Sequence, residues 1–232
     1  MNNKSITLIV TRLHRVSKVY QSHGNSYIAL KEIDFSASRG ELSLLLGPSG
    51  SGKTTMLTIL AGFTKPTEGK VVLFEKDISN YSSKELQFLR ANRIGFVFQT
   101  FLLIDALNVF QNIFLVLKFS NDNDLNKKQK TFDAMEMVNI SHLAKKFPSE
   151  LSNGEKQRVA IARAFANDAD LLIADEPTAS LESKQGKEII SFLHSYASKF
   201  NKCVVVASHD LRLKSFADKI IYMENGEISR VD

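Results

Sequence analysis

The sequence predicts an α/β protein in which a helical segment interrupts a core of buried parallel strands. Three observations carry this expectation. Short continuous apolar runs, Leu42 to Leu46, Leu171 to Ala174 and Val204 to Ala207, have the length and content of strands covered on both faces. Helical patterns stand between them, at Thr54 to Ala61 and Lys184 to Ser198. From about Thr100 to Asn167 the periodicity turns helical, with Phe110, Ile113, Phe114 and Leu117, then Phe132, Met135 and Val138, at helical spacing.

In chain order, β-like runs come first: Ile6 to Val10, Arg12 to Tyr20, Ile33-Asp34-Phe35 and Leu42 to Leu46. The helix Thr54 to Ala61 places Met56, Leu57, Leu60 and Ala61 on one face and stops at Gly62; Val71 to Phe74 is a further short strand. The polar run Asn121 to Lys130 reads as a loop and a helix start. The last strand, Ile220 to Met223, is turned by Asn225-Gly226 into Glu227 to Val231. No internal repeat is visible.

A chain of 232 residues can bury a sizeable core without disulfides. Its 44% apolar and 24% charged residues are those of a soluble globular protein. The formal charge of +5 suits an anionic partner, but the basic residues form no block, so nucleic acid is not an expected partner. Cys203 lies in an apolar run and reads as a buried strand residue in a reducing compartment. The stretch Met1 to Val10 has too few apolar residues for a signal peptide or a span. Asp105, Asn108, Gln111 and Asn112 interrupt the region Phe101 to Phe119, which argues against a lipid-facing helix. A role in transport would therefore require a separate membrane partner.

Gly47-Pro48-Ser49-Gly50-Ser51-Gly52-Lys53-Thr54 matches G-x-x-x-x-G-K-[ST] and sits between an apolar strand and a helix. Glycines there let backbone N–H groups and a helix N-terminus wrap a phosphate. Lys53 would neutralise β- and γ-phosphate charge and Thr54 would ligate Mg²⁺. A glycine-rich turn with a surface lysine is the plainer alternative, and the flanking strand and helix weigh against it.

The run Leu171-Leu172-Ile173-Ala174-Asp175-Glu176 is an apolar strand ending in two carboxylates, at the sheet edge where α/β proteins bind ligands. Asp175 is expected to hold the metal, and Glu176 to polarise the attacking water as general base. A strand cap followed by a turn at Pro177 is the alternative. A second strand ends in Ser208-His209, which would put His209 near the γ-phosphate. His14, His23, His142 and His194 lack metal-ligand spacing.

Leu151-Ser152-Asn153-Gly154-Glu155-Lys156-Gln157-Arg158-Val159-Ala160-Ile161-Ala162-Arg163-Ala164 closely resembles the signature motif of ABC-type ATPases. Similarity covers nearly the whole chain: Tyr20 resembles the adenine-stacking aromatic, Gln99 after Ile94 to Phe98 the Q-loop glutamine, and His209 the switch histidine. Finer features resemble the branch of lipoprotein-release, macrolide-export and haem-export ATPases. The resemblance implies a P-loop NTPase core formed by residues 1–99 and 168–232, with an N-terminal antiparallel β subdomain and a helical subdomain inserted at about 100–167.

It further implies an ATP- and Mg²⁺-dependent ATPase that dimerises around two ATP molecules. The nucleotide contacts would be Tyr20, Gly47, Pro48, Ser49, Gly50, Ser51, Gly52, Lys53, Thr54, Thr55 and Gln99, with Ser152, Gly154 and Glu155 reaching the ATP of the opposite subunit. Thr54, Gln99 and Asp175 would serve the metal, and Glu176, His209 and Lys53 the chemistry. The partners implied are a second copy of the chain and a multi-pass membrane subunit, with the chain cytoplasmic and peripheral on the inner membrane face. Phe101, Leu102, Leu103 and Ile104 follow Gln99 where the family has its groove for the membrane subunit.

Two residues depart from the family pattern: Asn153 stands where glycine is usual and Glu182 where aspartate is usual. Asparagine tolerates left-handed backbone angles and glutamate keeps the charge, so hydrolysis is expected to survive. Export or extraction of a substrate is the leading expectation. A regulatory ATPase that signals through a membrane partner to extracytoplasmic enzymes remains open. A soluble chromosome-maintenance or translation ATPase does not fit, because neither a coiled-coil insertion nor a second fused ATPase is present.

Overall fold

The computed structural model describes residues 8–22, 25–119 and 123–232. The expected strand start at Ile6, His23, and the Asn121-Asp122 part of the polar run lie outside the described residues. A six-stranded sheet has the order β10-β9-β3-β8-β7-β6, built from β3 (Leu42–Leu46), β6 (Ile94–Val97), β7 (Leu171–Asp175), β8 (Cys203–Ser208), β9 (Lys219–Glu224) and β10 (Glu227–Val231). All neighbours are parallel except the β9–β10 hairpin, whose Asn225-Gly226 turn has positive φ at both residues. A separate antiparallel sheet, β2-β1-β4-β5, joins β1 (Ile9–Ser22), β2 (Asn25–Ser38), β4 (Glu68–Leu73) and β5 (Lys76–Asp77).

Alternation along the parallel strands divides the core in two. Leu42, Leu44, Leu46, Leu172, Ala174, Val204 and Val206 face one apolar cluster; Leu45, Leu171, Ile173, Cys203, Val205 and Ala207 face the other. The second cluster is completed by α1 (Lys53–Leu60), through Met56, Leu57, Ile59 and Leu60, and by Leu13, Val16, Leu30, Ile33 and Val71 of the antiparallel sheet. The first is filled by α3 (Val109–Leu117), α4 (Asp124–Met137), α5 (Asn153–Phe165) and α6 (Ser183–Phe200). Helices α3 to α5 all lie in the connection between β6 and β7, which are neighbours in the sheet.

Helix periodicity does not begin at Thr100. Residues 100–108 are irregular, and α3 starts at a capping box in which Asn108 Oδ1 accepts from Gln111 N–H at 2.8 Å. Asn112, buried, accepts from Ile104 N–H and donates to the carbonyls of Ile104, Leu107 and Asn108, so its amide organises this loop. The strand expected at Val71 to Phe74 is β4, which begins three residues earlier, at Glu68, and ends one residue earlier, at Leu73, because Phe74 and Glu75 adopt positive φ of 52° and 66°. The helix α2 (Ser83–Arg93) has no counterpart in the sequence reading. No helix among the described residues is long and apolar enough to cross a membrane.

Candidate active site

Four adjacent parallel strands, β3, β8, β7 and β6, bring the phosphate loop, His209, Asp175 with Glu176, and Gln99 to one edge of the sheet. The phosphate loop follows β3 directly. Gly47 has no room for a side chain, since a Cβ would stand 2.2 Å from the Met223 carbonyl oxygen of β9. Gly52 caps α1 at φ 103°, a backbone angle that suits glycine alone, and turns the chain into the helix that starts at Lys53. The turn between β9 and β10 supports the loop from beneath, with Gly226 N–H donating to Ser51 O at 3.1 Å.

The Lys53 ammonium donates to the carbonyls of Gly47 and Pro48 at 2.7 and 2.9 Å, which centres its charge on the loop. Burial lowers its pKa, and Glu176 and Asp175 act in the opposite sense. Thr54 Oγ1 donates to Asp175 Oδ2 at 2.8 Å. The other oxygen of Asp175, Oδ1, is buried and has no hydrogen-bond partner. Burial raises the Asp175 pKa, and nearby Glu176 adds to this, while the Thr54 bond and Lys53 oppose it. A buried, unpaired carboxylate oxygen beside a threonine hydroxyl is the donor chemistry of a hard cation site.

Glu176 follows β7 at φ 48°, while its N–H still bonds Ala207 O at 2.9 Å. Such a left-handed glutamate costs on the order of 1 kcal/mol, and its carboxylate is redirected relative to Asp175. Its Oε1 lies 3.0 Å from His209 Nδ1, and Ser208 Oγ donates to Oε2 at 3.3 Å. The glutamate side chain is 11% exposed and the histidine ring 61% exposed. Ser208 was not foreseen as a site residue; its place immediately before His209 at a strand end is the signal that could have found it.

Other expected residues lie farther out. Gln99 is exposed two residues beyond β6 and its amide is bonded to neither Thr54 nor Asp175. Tyr20 is 40% exposed and cross-strand from Tyr27, whose hydroxyl is 3.4 Å from Gly50 O. Thr55 is half-buried in the first turn of α1.

Ser152 caps α5, its hydroxyl accepting from Glu155 N–H while Glu155 Oε2 accepts from Ser152 N–H at 2.7 Å. The Glu155 carboxylate is thus occupied in the capping box. Ser152, Gly154 and Glu155 line a cleft of about 310 Å³ with Leu181, Glu182 and Gln185, and no phosphate-loop residue borders it. Asn153 is the first residue of α5 and its φ is not positive, so the left-handed tolerance of asparagine is not drawn upon here.

The family model described as ABC transporter matches residues 30–179, a span that holds both the phosphate loop and the Asp175-Glu176 strand end. The chain belongs to the ABC transporter family. It is an ATP-binding, ATP-hydrolysing member. Among its relatives is an uncharacterized ABC transporter ATP-binding protein, MJ0796, of Methanocaldococcus jannaschii, 38% identical over 94% of this chain and 95% of its own. The lipoprotein-releasing system ATP-binding protein LolD of Buchnera aphidicola subsp. Acyrthosiphon pisum is 34% identical over 98% of both chains. A dimeric structure of MJ0796 in a post-hydrolysis state, bound to ADP and Pi, matches this ABC ATPase with a TM-score of 0.89 at 36% identity, over 96% of this chain and 97% of that one.

Proposed function

We propose that this ABC ATPase supplies half of each of two composite sites, and that closure of two copies on ATP drives a membrane-embedded partner. The observation that carries the proposal is the separation within one chain. Lys53, Thr54, Asp175, Glu176 and His209 share one sheet edge, whereas Ser152 and Gly154 line a cleft that no phosphate-loop residue borders. The helix N-terminus at Ser152 is an anion-binding element, and a second copy turned head to tail would bring it to the γ-phosphate.

Asp175 and Thr54 fit Mg²⁺, with Gln99 the further candidate ligand. Mg²⁺ there would neutralise charge on the β- and γ-phosphates. Backbone N–H groups of the loop, Pro48 excepted because it has none, would hold the phosphates, Lys53 would offset charge on the β- and γ-groups, Thr55 would stand beside them, and Tyr20 would offer its exposed ring to the base. Glu176 accepts a proton from water as that water attacks the γ-phosphorus and the bond to the β,γ-bridging oxygen breaks, ADP leaving with that oxygen; His209 fixes the direction of the Glu176 carboxylate. Glu155 acts on the nucleotide of the opposite copy only through the turn it holds at Ser152.

The core of residues 1–99 and 168–232 and the helical unit of about 100–167 meet at an apolar groove of about 380 Å³ lined by Phe63, Phe96, Phe98, Leu102, Leu115 and Phe119. A short cytoplasmic helix of a multi-pass membrane subunit would fit it, placing the chain on the inner face of the membrane. Similarity to a lipoprotein-releasing ATPase along the full chain supports extraction or export of a substrate.

Complementation tests the composite site. Lys53→Ala and Ser152→Arg are each inactive alone, but a mixture forms heterodimers with one intact site and recovers hydrolysis. A mixture no more active than its components would refute the composite site.

A further inference from the structure

Arg163, near the end of α5, carries a guanidinium with an unusual pair of partners. Its Nη1 and Nη2 donate to the carbonyls of Leu102 and Phe101, each at 2.6 Å. Among the described residues it has no carboxylate partner, and burial lowers its pKa. A desolvated cation held only by carbonyl dipoles is a poor way to gain stability.

The two residues it grips are themselves strained. Phe101 and Leu102 both have positive φ, 54° and 46°, where bulky side chains are rare. They follow Gln99 by two and three residues. Leu102 and Arg163 also line the apolar groove, beside Phe98 and Phe119. At the other end of α5, Ser152 caps the helix and Gly154 lies in its first turn. One side chain therefore touches the loop after Gln99, the wall of the groove and the helix that presents the anion-binding turn.

We infer that Arg163 is the positioning residue that couples the groove to the ATP site, by holding the Phe101-Leu102 loop in its left-handed form against α5. The inference rests on the nucleotide roles proposed above for Gln99 and Ser152. Left-handed non-glycine residues cost on the order of 1–3 kcal/mol each and persist only where surrounding contacts hold them, so the form of this loop depends on the two Arg163 bonds. The planar fork of arginine bonds both carbonyls at once; the single ammonium of lysine cannot reproduce that geometry.

The chain contains no tryptophan, so Phe119→Trp places a lone indole at the groove. In the Phe119→Trp, Glu176→Gln chain, MgATP should change the acrylamide quenching of that indole. Adding Arg163→Lys should remove most of the change while MgATP still binds. In the otherwise native chain, Arg163→Lys should lower kcat about tenfold at an unchanged KM for ATP. If Arg163→Lys folds too poorly to assay, Arg163→Gln, whose amide cannot bond both carbonyls at once, should lose the quenching change likewise. Quenching that ignores MgATP with Arg163 present, or that responds equally with Arg163→Lys or with Arg163→Gln, overturns the inference. A native chain that binds no MgATP overturns the ATPase reading itself, and the inference with it.

Discussion

Glu176 Oε1 lies 3.0 Å from His209 Nδ1, across the carboxyl ends of neighbouring parallel strands. The pair shares its sheet edge with Asp175, whose Oδ2 accepts from Thr54. Glu176, His209 and Asp175, the proposed proton acceptor, its orienting histidine and the proposed metal ligand, are thereby fixed by strand ends buried on both faces, while the histidine ring stays accessible.

Asp175 is maintained at a cost to folding. Its pKa is raised in the fold, chiefly by burial, so the native state binds more protons than the unfolded state between the ordinary carboxylate pKa and the raised one. Stability therefore falls as pH rises through that window, and the penalty persists at neutral pH. Asp175→Asn should melt at a higher temperature than the native chain at pH 7, with the difference vanishing in acid, and should lose hydrolysis by at least about 100-fold. Thermal melts from pH 3 to 8 check this.

Asp170 should show the opposite sign. Burial pushes its carboxyl up, but hydrogen bonds from Arg93 at 2.7 and 2.8 Å and from Arg39 at 2.7 Å outweigh it and hold the pKa below the usual range. This stabilisation is complete above the ordinary carboxylate pKa and is lost as pH falls through the depressed one. Asp170→Asn should cost about 2–3 kcal/mol at pH 7 in urea unfolding, with the gap closing in acid.

Glu182 occupies the N-cap of α6 without a side-chain cap bond. Aspartate at that position has the reach to accept from the first-turn N–H groups, so Glu182→Asp should stabilise the chain by about 1 kcal/mol. Since Glu182 also lines the Ser152 cleft, the same change should raise the ATPase rate, which a coupled-enzyme assay would measure.

Legibility in the sequence followed burial. Strands β3, β7 and β8 are covered on both faces and stood out as apolar runs. The long β1 and β2 were legible only in pieces, Ile6 to Val10, Arg12 to Tyr20 and Ile33 to Phe35, because register shifts between Leu13 and Val16 and positive φ at Arg15 and Glu32 break the two-residue alternation. Helix α2 buries only Leu86, so no apolar stripe marks it, although Ser82 and Glu85 form a capping box that was readable. Phosphate-loop and carboxylate residues were legible because their chemistry requires a local pattern. Ser208 and Arg163 meet their partners through tertiary contacts: only its place before His209 at a strand end marks Ser208, and no local pattern marks the Arg163 bonds to Phe101 and Leu102.

The central claim is that Glu176 is the base of a site completed by a second copy. With MgATP, purified Glu176→Gln should bind nucleotide, hydrolyse it at least about 100-fold more slowly than the native chain, and elute as a dimer in size-exclusion chromatography. Hydrolysis at the native rate, or a variant that stays monomeric with ATP bound, would contradict the account.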